Sequence, residues 1–236
     1  AYRQSAADRS AQKTLTLLVC NRQYGHKKIM VCTSEGSHSS VSCQRLSLST
    51  ESANSTAMAR SFVALELSGE IRERLSEAQA VLRTCSARLT FVDPAIIHVT
   101  AKFLGEVDEK RLVLVQEALQ KIAFTPFPVT AGVVTVNNPR RPQTVWCSID
   151  DGGNGARLLD LIESALSPLG FPRESRKFTA HATVARVKEY DPSLMKALEQ
   201  LKGKTYGSCT VAGMKLKKST LTPRGPVYED LLEVRW

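Results

Sequence analysis

Cysteine and histidine are scarce in this chain, and neither occurs in a metal-binding pattern. The six cysteines lie far apart, at positions 20, 32, 43, 85, 147 and 209, and only four histidines are present. A structural zinc site needs several such ligands at short, regular spacings. The sequence therefore predicts no metal site and no cofactor. The cysteine spacing is also not that of a disulfide framework, so we expect reduced thiols and a cytoplasmic location.

Long apolar runs and glycine-rich nucleotide loops are also missing. The longest apolar run in the first sixty residues, 17–20, is too short for a membrane span or a signal-peptide core. No Gly-x-Gly-x-x-Gly follows a predicted strand, and the glycine-rich stretch 151–155 lacks the Lys-Ser/Thr of a phosphate loop. These absences argue against a membrane protein and against the dinucleotide-binding and P-loop folds.

The charge of the chain points to an anionic partner. Its 236 residues carry a formal net charge of +9 and are 42% hydrophobic and 23% charged. Such a composition is ordinary for a folded domain with a real core. The excess of positive charge favours nucleic acid as a partner, although good solubility alone is the competing interpretation.

Residues 1–57 differ in composition from the rest of the chain. They hold eleven serines and seven Lys or Arg, but only the three acids Asp8, Glu35 and Glu51. Such a segment buries too little apolar surface to offset the entropy of ordering it. We expect a disordered or leader segment at 1–57 and a folded domain at 58–236. The leader is either an organellar transit peptide, which would make the location organellar, or sequence upstream of a true start at Met58; we favour the second.

From residue 60 onward the hydrophobic pattern becomes regular. Strand signals with period two fall at 61–67, 89–92, 98–104, 129–136, 144–149, 178–187, 208–220 and 228–236. Helical spacing appears in four sets: 71, 75, 78 and 82; 112, 115, 119 and 122; 158, 161, 162, 165 and 169; and 194, 198 and 201, the last with Asp191 as its N-cap. Strands outnumber helices and often come in neighbouring pairs. The sequence therefore predicts an α+β fold with antiparallel sheet.

The two histidines of residues 58–236 occur in two copies of one tripeptide. These are His98-Val99-Thr100 and His181-Ala182-Thr183. Each copy lies within a predicted strand, where residues two apart point to the same face. Each histidine therefore shares a face with its threonine, and both pairs can line one cavity.

Two such pairs fit in-line displacement at phosphorus. One histidine can act as the base for the nucleophile and the other as the acid for the leaving oxygen, because the histidine pKa lies near neutrality. The threonine hydroxyls can hold the equatorial phosphate oxygens, where charge develops. A cation from each motif is also expected to bind the substrate phosphate. By strict alternation Lys102 shares the face of His98, whereas Arg186 falls on the face opposite His181 and reaches the phosphate only if the strand bends or ends first.

Further contacts to a nucleic-acid backbone are expected from basic residues near loops and strand ends. They are Arg140, Arg141, Arg173, Arg176, Lys177, Lys215, Lys217 and Lys218. No base-stacking aromatic is predicted, because Phe62, Phe103 and Phe178 fall in strands and are expected in the core.

Two longer segments, IHVTAKFLGE (97–106) and FTAHATVARV (178–187), resemble the paired H-x-T-x motifs of the 2H phosphoesterases. The similarity is strongest to the RNA 2',3'-cyclic phosphodiesterases, also called the 2'-5' RNA ligase family. RSFVALEL (60–67) resembles that family's opening strand, and PRRPQTVW (139–146) its central loop and strand. The resemblance covers residues 58–236 and none of the leader.

The resemblance implies two pseudo-symmetric α+β lobes, helices packed outside, and an active site in the cleft between them. It implies hydrolysis of a terminal 2',3'-cyclic phosphate of RNA, with His98 as proton donor and His181 as proton acceptor. Thr100 and Thr183 match the phosphate-holding residues, and Arg186 matches a motif arginine. Ala180 and Ala101 depart from the family's usual Pro and Leu, which concerns the geometry around the site.

Two other functions remain open from the residues. One is 2'-5' ligation at the same site, with an RNA 5'-hydroxyl in place of water. The other is a non-catalytic RNA- or nucleotide-binding module, which would not show the bell-shaped pH profile expected of an acid–base pair. The expected partner is RNA with 2',3'-cyclic phosphate ends, with no membrane and no obligate protein partner, and the protein is expected to be a monomer.

Overall fold

The computed structural model describes residues 58–223 and 225–236 and, within 1–57, the backbone of three strands. The chain divides into two compact units, Ala1–Ser55 and Thr56–Trp236. In the first unit, strands β1 (Thr14–Val19), β2 (Ile29–Ser34) and β3 (Ser42–Gln44) form an antiparallel sheet in the order β1-β2-β3. Regular structure was not predicted there. The remainder of the prediction for 1–57 lies outside the described residues.

The second unit is built on one nine-stranded sheet in which every pairing is antiparallel. Its strands are β4 (Met58–Glu66), β5 (Arg88–Phe91), β6 (His98–Asp108), β7 (Phe127–Val136), β8 (Thr144–Asp150), β9 (His181–Glu189), β10 (Gly207–Val211), β11 (Gly213–Thr222) and β12 (Gly225–Arg235). The order is β10-β7-β8-β9-β6-β4-β11-β12, with β5 also paired to β9.

Four helices cover this sheet: α1 (Gly69–Leu82), α2 (Glu109–Gln120), α3 (Asn154–Leu166) and α4 (Ser193–Glu199). The first two begin at side-chain caps, where Ser68 accepts from the amide of Ile71 and Asp108 from that of Arg111. Such caps satisfy amides that have no partner within the helix. None of the described helices is long and apolar enough to cross a membrane.

The sheet falls into two halves that meet at β6 and β9. The first half contains β4, β6, β11 and β12, and the second contains β5, β7, β8, β9 and β10. Helices α2 and α3 pack near β6, and α1 packs near β9 and β10. Between β6 and β9 the register holds a single pair, Val99 opposite Ala182. The prediction of an α+β fold with two antiparallel lobes and outer helices is confirmed.

Three local predictions were wrong. Strand β9 begins at His181 and not at residue 178, and no helix or strand is formed between Gly170 and Ala180. Leu161, expected on the buried face of α3, is exposed, while Leu166 is buried there. Helix α4 begins at Ser193, one residue later than the predicted start.

Candidate active site

The four motif side chains gather where the two halves of the sheet meet. Because Val99 faces Ala182 in an antiparallel pair, His98 comes opposite Thr183 and Thr100 opposite His181. Diagonal neighbours in such a ladder are about 7–8 Å apart. The two histidines thus lie on one face, on either side of the single pair that joins the two strands. This is the grouping that the sequence predicts, and its role in catalysis stays a prediction.

Both imidazoles are oriented by the same local hydrogen bond. Nδ1 of His98 donates to the carbonyl of Ile96 at 2.8 Å, and Nδ1 of His181 donates to the carbonyl of Thr179 at 2.8 Å. A carbonyl oxygen only accepts, so Nδ1 carries the proton in each ring. Nε2 is therefore the nitrogen of each ring that carries no proton in the neutral imidazole. In His98, this atom lies 3.2 Å from the Thr100 hydroxyl.

An aromatic side chain from a neighbouring strand backs each histidine. Phe62 on β4 stacks on His98 with ring centroids 5.0 Å apart, and Tyr228 on β12 meets the same imidazole edge-on at 5.5 Å. Trp146 on β8 lies 4.2 Å from His181. These contacts limit the rotation of both rings, which holds Nε2 in place.

The surroundings of His98 also shift the pKa of its imidazole. Burial lowers the pKa of His98 below its ordinary value, and the nearby cations Lys217 and Arg72 act in the same direction. The carbonyl of Ile96 and the carboxylate of Glu66 oppose this shift without cancelling it. Burial therefore favours the neutral form of the His98 imidazole.

A β-bulge follows the first motif and removes Lys102 from the cleft. Ala64 pairs with Thr100 but Val63 pairs with Lys102, so Ala101 is the extra residue. A bulge of this kind reverses the alternation beyond it. Lys102 is consequently buried, with Nζ 2.8 Å from Oε1 of Glu163. The expectation that Lys102 shares the face of His98 was wrong, because it assumed unbroken alternation.

The second motif carries a bulge at the same position, with the opposite effect on its cation. Trp146 pairs with Thr183 and Val145 with Ala185, so Val184 is the extra residue. Arg186 therefore falls on the face of His181 and Thr183, where its side chain is exposed. The alternation argument against Arg186 was wrong for the same reason as the argument for Lys102.

A buried glutamine stabilises this second bulge. Nε2 of Gln79, on α1, donates to the carbonyl of Val184 at 3.0 Å and to that of Val92 at 2.7 Å. The Val184 carbonyl also accepts from the amide of Val92 at 3.0 Å. A polar residue on the apolar face of a predicted helix was the sequence signal for this contact.

Phe103 occupies the position in the first motif that Arg186 occupies in the second. The bulge at Ala101 turns its ring outward, and the side chain is 63% exposed. The ring lies 6.1 Å from Phe62, which itself stacks on His98. The expectation that Phe103 lies in the core was wrong, and the structure instead provides an exposed aromatic surface beside the site.

The remaining predicted cations divide into paired and exposed groups. Lys217 bonds to both Glu66 and Asp230, at 2.8 and 2.6 Å, and Lys215 also bonds to Asp230, at 2.6 Å. Arg173 pairs with Asp160 at 2.7 Å, and Lys218 lies 3.8 Å from Glu229. The others are exposed: Arg140, Arg141, Arg176 and Lys177. Within residues 58–223 and 225–236, no group of three or more His, Cys, Asp or Glu is arranged to hold a metal ion.

Comparison with known proteins gives consistent matches over the second unit. A family model described as LigT like Phosphoesterase matches residues 65–147 and 152–228. An RNA 2',3'-cyclic phosphodiesterase of Archaeoglobus fulgidus is 36% identical over 173 residues, which cover 73% of this chain and 97% of that protein. One of Methanothermobacter thermautotrophicus is 30% identical, covering 73% and 96%.

Solved structures match the same part of the chain. A crystal structure from Thermus thermophilus aligns with a TM-score of 0.63 and 26% identity, covering 75% of this chain and 97% of that one. Escherichia coli LigT in complex with 3'-AMP aligns with a TM-score of 0.63 at 21% identity, covering 75% and 98%. At 21% identity, the second match supports the fold and nothing further.

Proposed function

Because the chain belongs to the LigT-like phosphoesterase family, we propose that it hydrolyses the terminal 2',3'-cyclic phosphate of RNA to a 2'-phosphate. One observation carries the proposal. Two Nδ1-protonated imidazoles, His98 and His181, share one face across the junction of two strands, and each comes opposite the threonine of the other motif. This is the arrangement that in-line displacement at phosphorus needs, with an acid and a base on opposite sides of the phosphate.

In this reaction His181 takes a proton from water through its free Nε2. The water oxygen bonds to phosphorus as the bond between phosphorus and the 3'-oxygen breaks. His98 donates its Nε2 proton to that leaving oxygen, which becomes the 3'-hydroxyl. Thr100 and Thr183 donate hydrogen bonds to the equatorial oxygens, where negative charge concentrates. The atoms balance, and the chemistry requires no metal ion.

The substrate itself supplies the charge that His98 needs as an acid. Burial lowers the pKa of His98, which by itself opposes the donor role. A bound cyclic phosphate brings a negative charge within a few ångströms of the ring, and such a charge favours the imidazolium form. We therefore expect His98 to become protonated as the substrate binds.

Recognition of RNA extends beyond the phosphate. Arg186 lies on the same face as His181 and Thr183 and offers a cation for the phosphate or the adjoining backbone. The exposed ring of Phe103 offers a stacking surface for the terminal base. One chain supplies both histidines and both threonines, so the proposed site needs no residue from a second copy of the chain.

The test is the identity of the product. A short RNA ending in a 2',3'-cyclic phosphate is incubated with the full chain in excess EDTA, and the product is followed by ³¹P NMR. A 2'-phosphate signal that grows with enzyme concentration supports the proposal. Tight binding of the RNA without opening of the ring would instead indicate a binding module.

A further inference from the structure

We propose that Lys102, although it does not face the cleft, is a positioning residue for His181. The inference rests on the proposed function, because it concerns the geometry of the same acid–base pair. Lys102 belongs to the strand of the first motif, and its polar contacts all lie in the chain that leads to the second motif. The pair that it forms with Glu163 thus connects β6 to α3 and to the segment that leads into β9.

The contacts of Lys102 are short and enclosed. Its Nζ donates to Oε1 of Glu163 at 2.8 Å and to the carbonyl of Pro172 at 2.9 Å. The side chains of Lys102 and Glu163 are only 2% and 7% exposed. The same Oε1 accepts from the amide of Glu174 at 2.6 Å. One buried ion pair therefore fixes two backbone groups of the segment between α3 and β9.

The segment that leads from Gly170 into β9 contains no regular secondary structure that would hold its backbone in place. No helix or strand is formed between Gly170 and Ala180, and its last residues act directly on the site. The carbonyl of Thr179 accepts from Nδ1 of His181, and the carbonyl of Ala180 accepts from the amide of Ile149 at 3.0 Å. Without the buried ion pair, the segment would keep the exposed contacts of Arg173 with Asp160 and Ser164 but lose the buried hydrogen bonds at Pro172 and Glu174.

The second motif shows that the fold does not require a charge at this position. Ala185 follows the bulge of β9 as Lys102 follows the bulge of β6, and both residues are buried. A small apolar side chain therefore satisfies the packing at the position that follows the bulge. Burying a lysine and a glutamate is expensive even when they are paired, and an apolar replacement of the whole pair is often no less stable. The pair is better explained by its hydrogen bonds to Pro172 and Glu174, which hold the segment before His181 in place.

The experiment replaces the pair as a unit. Lys102→Met alone leaves the Glu163 carboxylate buried without a counter-charge, so loss of folding would obscure the result. The double variant Lys102→Met/Glu163→Met removes both charges and keeps the volume. Each protein is assayed for melting temperature, for kcat and KM on RNA with a 2',3'-cyclic phosphate end, and for the ¹⁵N NMR signals of the His181 imidazole.

We expect the double variant to fold and to lose between about tenfold and a hundredfold in kcat, as displacement of a catalytic group does. KM should change by less than about threefold, because the phosphate contacts remain. The His181 signals should change from a single Nδ1-protonated tautomer to a mixture. Lys102→Arg, which keeps the ion pair, should retain most of the rate.

Leu194→Ala on α4 is the matched control, because Leu194 is buried and carries no polar contact to the segment. It should lower the melting temperature while leaving kcat and the His181 signals unchanged. A folded double variant with the kcat and His181 signals of the wild type would overturn the inference. If the wild type fails to open the cyclic phosphate, the proposed function fails, and the NMR comparison still decides whether Lys102 positions His181.

Discussion

Replacing Gln79 by leucine should convert the second motif from a bulged strand into one that no longer presents Arg186 to the cleft. Gln79 is buried, 2% exposed, and its amide nitrogen donates to the carbonyls of Val184 and Val92. Leucine has a similar volume but no donor. The effect of the substitution should therefore come from the loss of the two hydrogen bonds and not from a cavity.

The size of the effect follows from which carbonyl loses its partner. The Val184 carbonyl keeps the hydrogen bond from the amide of Val92 at 3.0 Å. The Val92 carbonyl loses the donor that lies 2.7 Å away. A buried acceptor left without a partner costs about 1–3 kcal/mol, and the part-buried Val92 carbonyl should lie near the lower end of that range. We expect the free energy of unfolding to fall by that amount, and the bulge at Val184 to relax toward regular alternation.

The assay is a double-mutant cycle with Arg186→Ala, followed by urea unfolding and by kcat/KM on RNA with a cyclic phosphate end. If Gln79 acts through Arg186, the Gln79→Leu variant and the double variant should have nearly the same kcat/KM. Leu75→Val on the same helix is the control, since it costs about 1–2 kcal/mol of stability without touching the bulge. Full additivity of the two effects on kcat/KM would refute the argument.

Three further predictions concern the first half of the sheet, which contains β6 and β12. Phe103→Ala should weaken RNA binding by about 1–3 kcal/mol, the usual value of one stacked base, with little change in melting temperature; an unchanged KM would exclude a stacking role. Tyr228→Ser should expose His98 to water and raise its pKa toward the ordinary value, which an NMR titration measures and an unmoved titration would contradict. Salt bridges to two lysines hold the pKa of Asp230 below its usual value, although burial opposes this. Its contribution to stability is therefore present above the unfolded pKa and lost as the pH falls through the folded one; Asp230→Asn should flatten the acid limb of a stability–pH curve.

The lowered pKa of His98 also makes the stability of the fold depend on pH. Its folded pKa lies below the ordinary value because burial disfavours the imidazolium form. The unfolded chain therefore binds more protons than the folded one as the pH drops through the ordinary histidine range. The contribution of neutral His98 is present above the unfolded pKa and is lost as the pH falls through the folded pKa.

The helices and the shared face of each histidine and its threonine could be predicted from the sequence because they depend on local patterns. Ile71, Leu75, Ala78 and Leu82 recur at helical spacing, and all four are buried on α1. The two His-x-Thr copies needed only alternation over three residues, too short a stretch for a bulge to intervene. Their placement across one strand pair followed from the motifs themselves.

The faces of Lys102, Phe103 and Arg186 could not be predicted, since each lies just beyond a bulge. A bulge leaves one residue of its strand unpaired in the ladder. The hydrogen bonds that stabilise it can come from residues that are distant in sequence. For the second bulge that partner is Gln79, 105 positions before Val184. The sequence shows a buried glutamine on a helix but not the carbonyl that it meets.

The central claim is that His98 and His181 form a metal-independent acid–base pair. The most direct measurement is the pH dependence of kcat/KM in excess EDTA on RNA with a 2',3'-cyclic phosphate end, for the wild type, His98→Ala and His181→Ala. We expect a bell-shaped profile for the wild type, and in each variant a rate lower by at least about 10²–10⁴-fold with one limb of the bell removed. A variant that keeps both limbs and most of the wild-type rate would contradict the account.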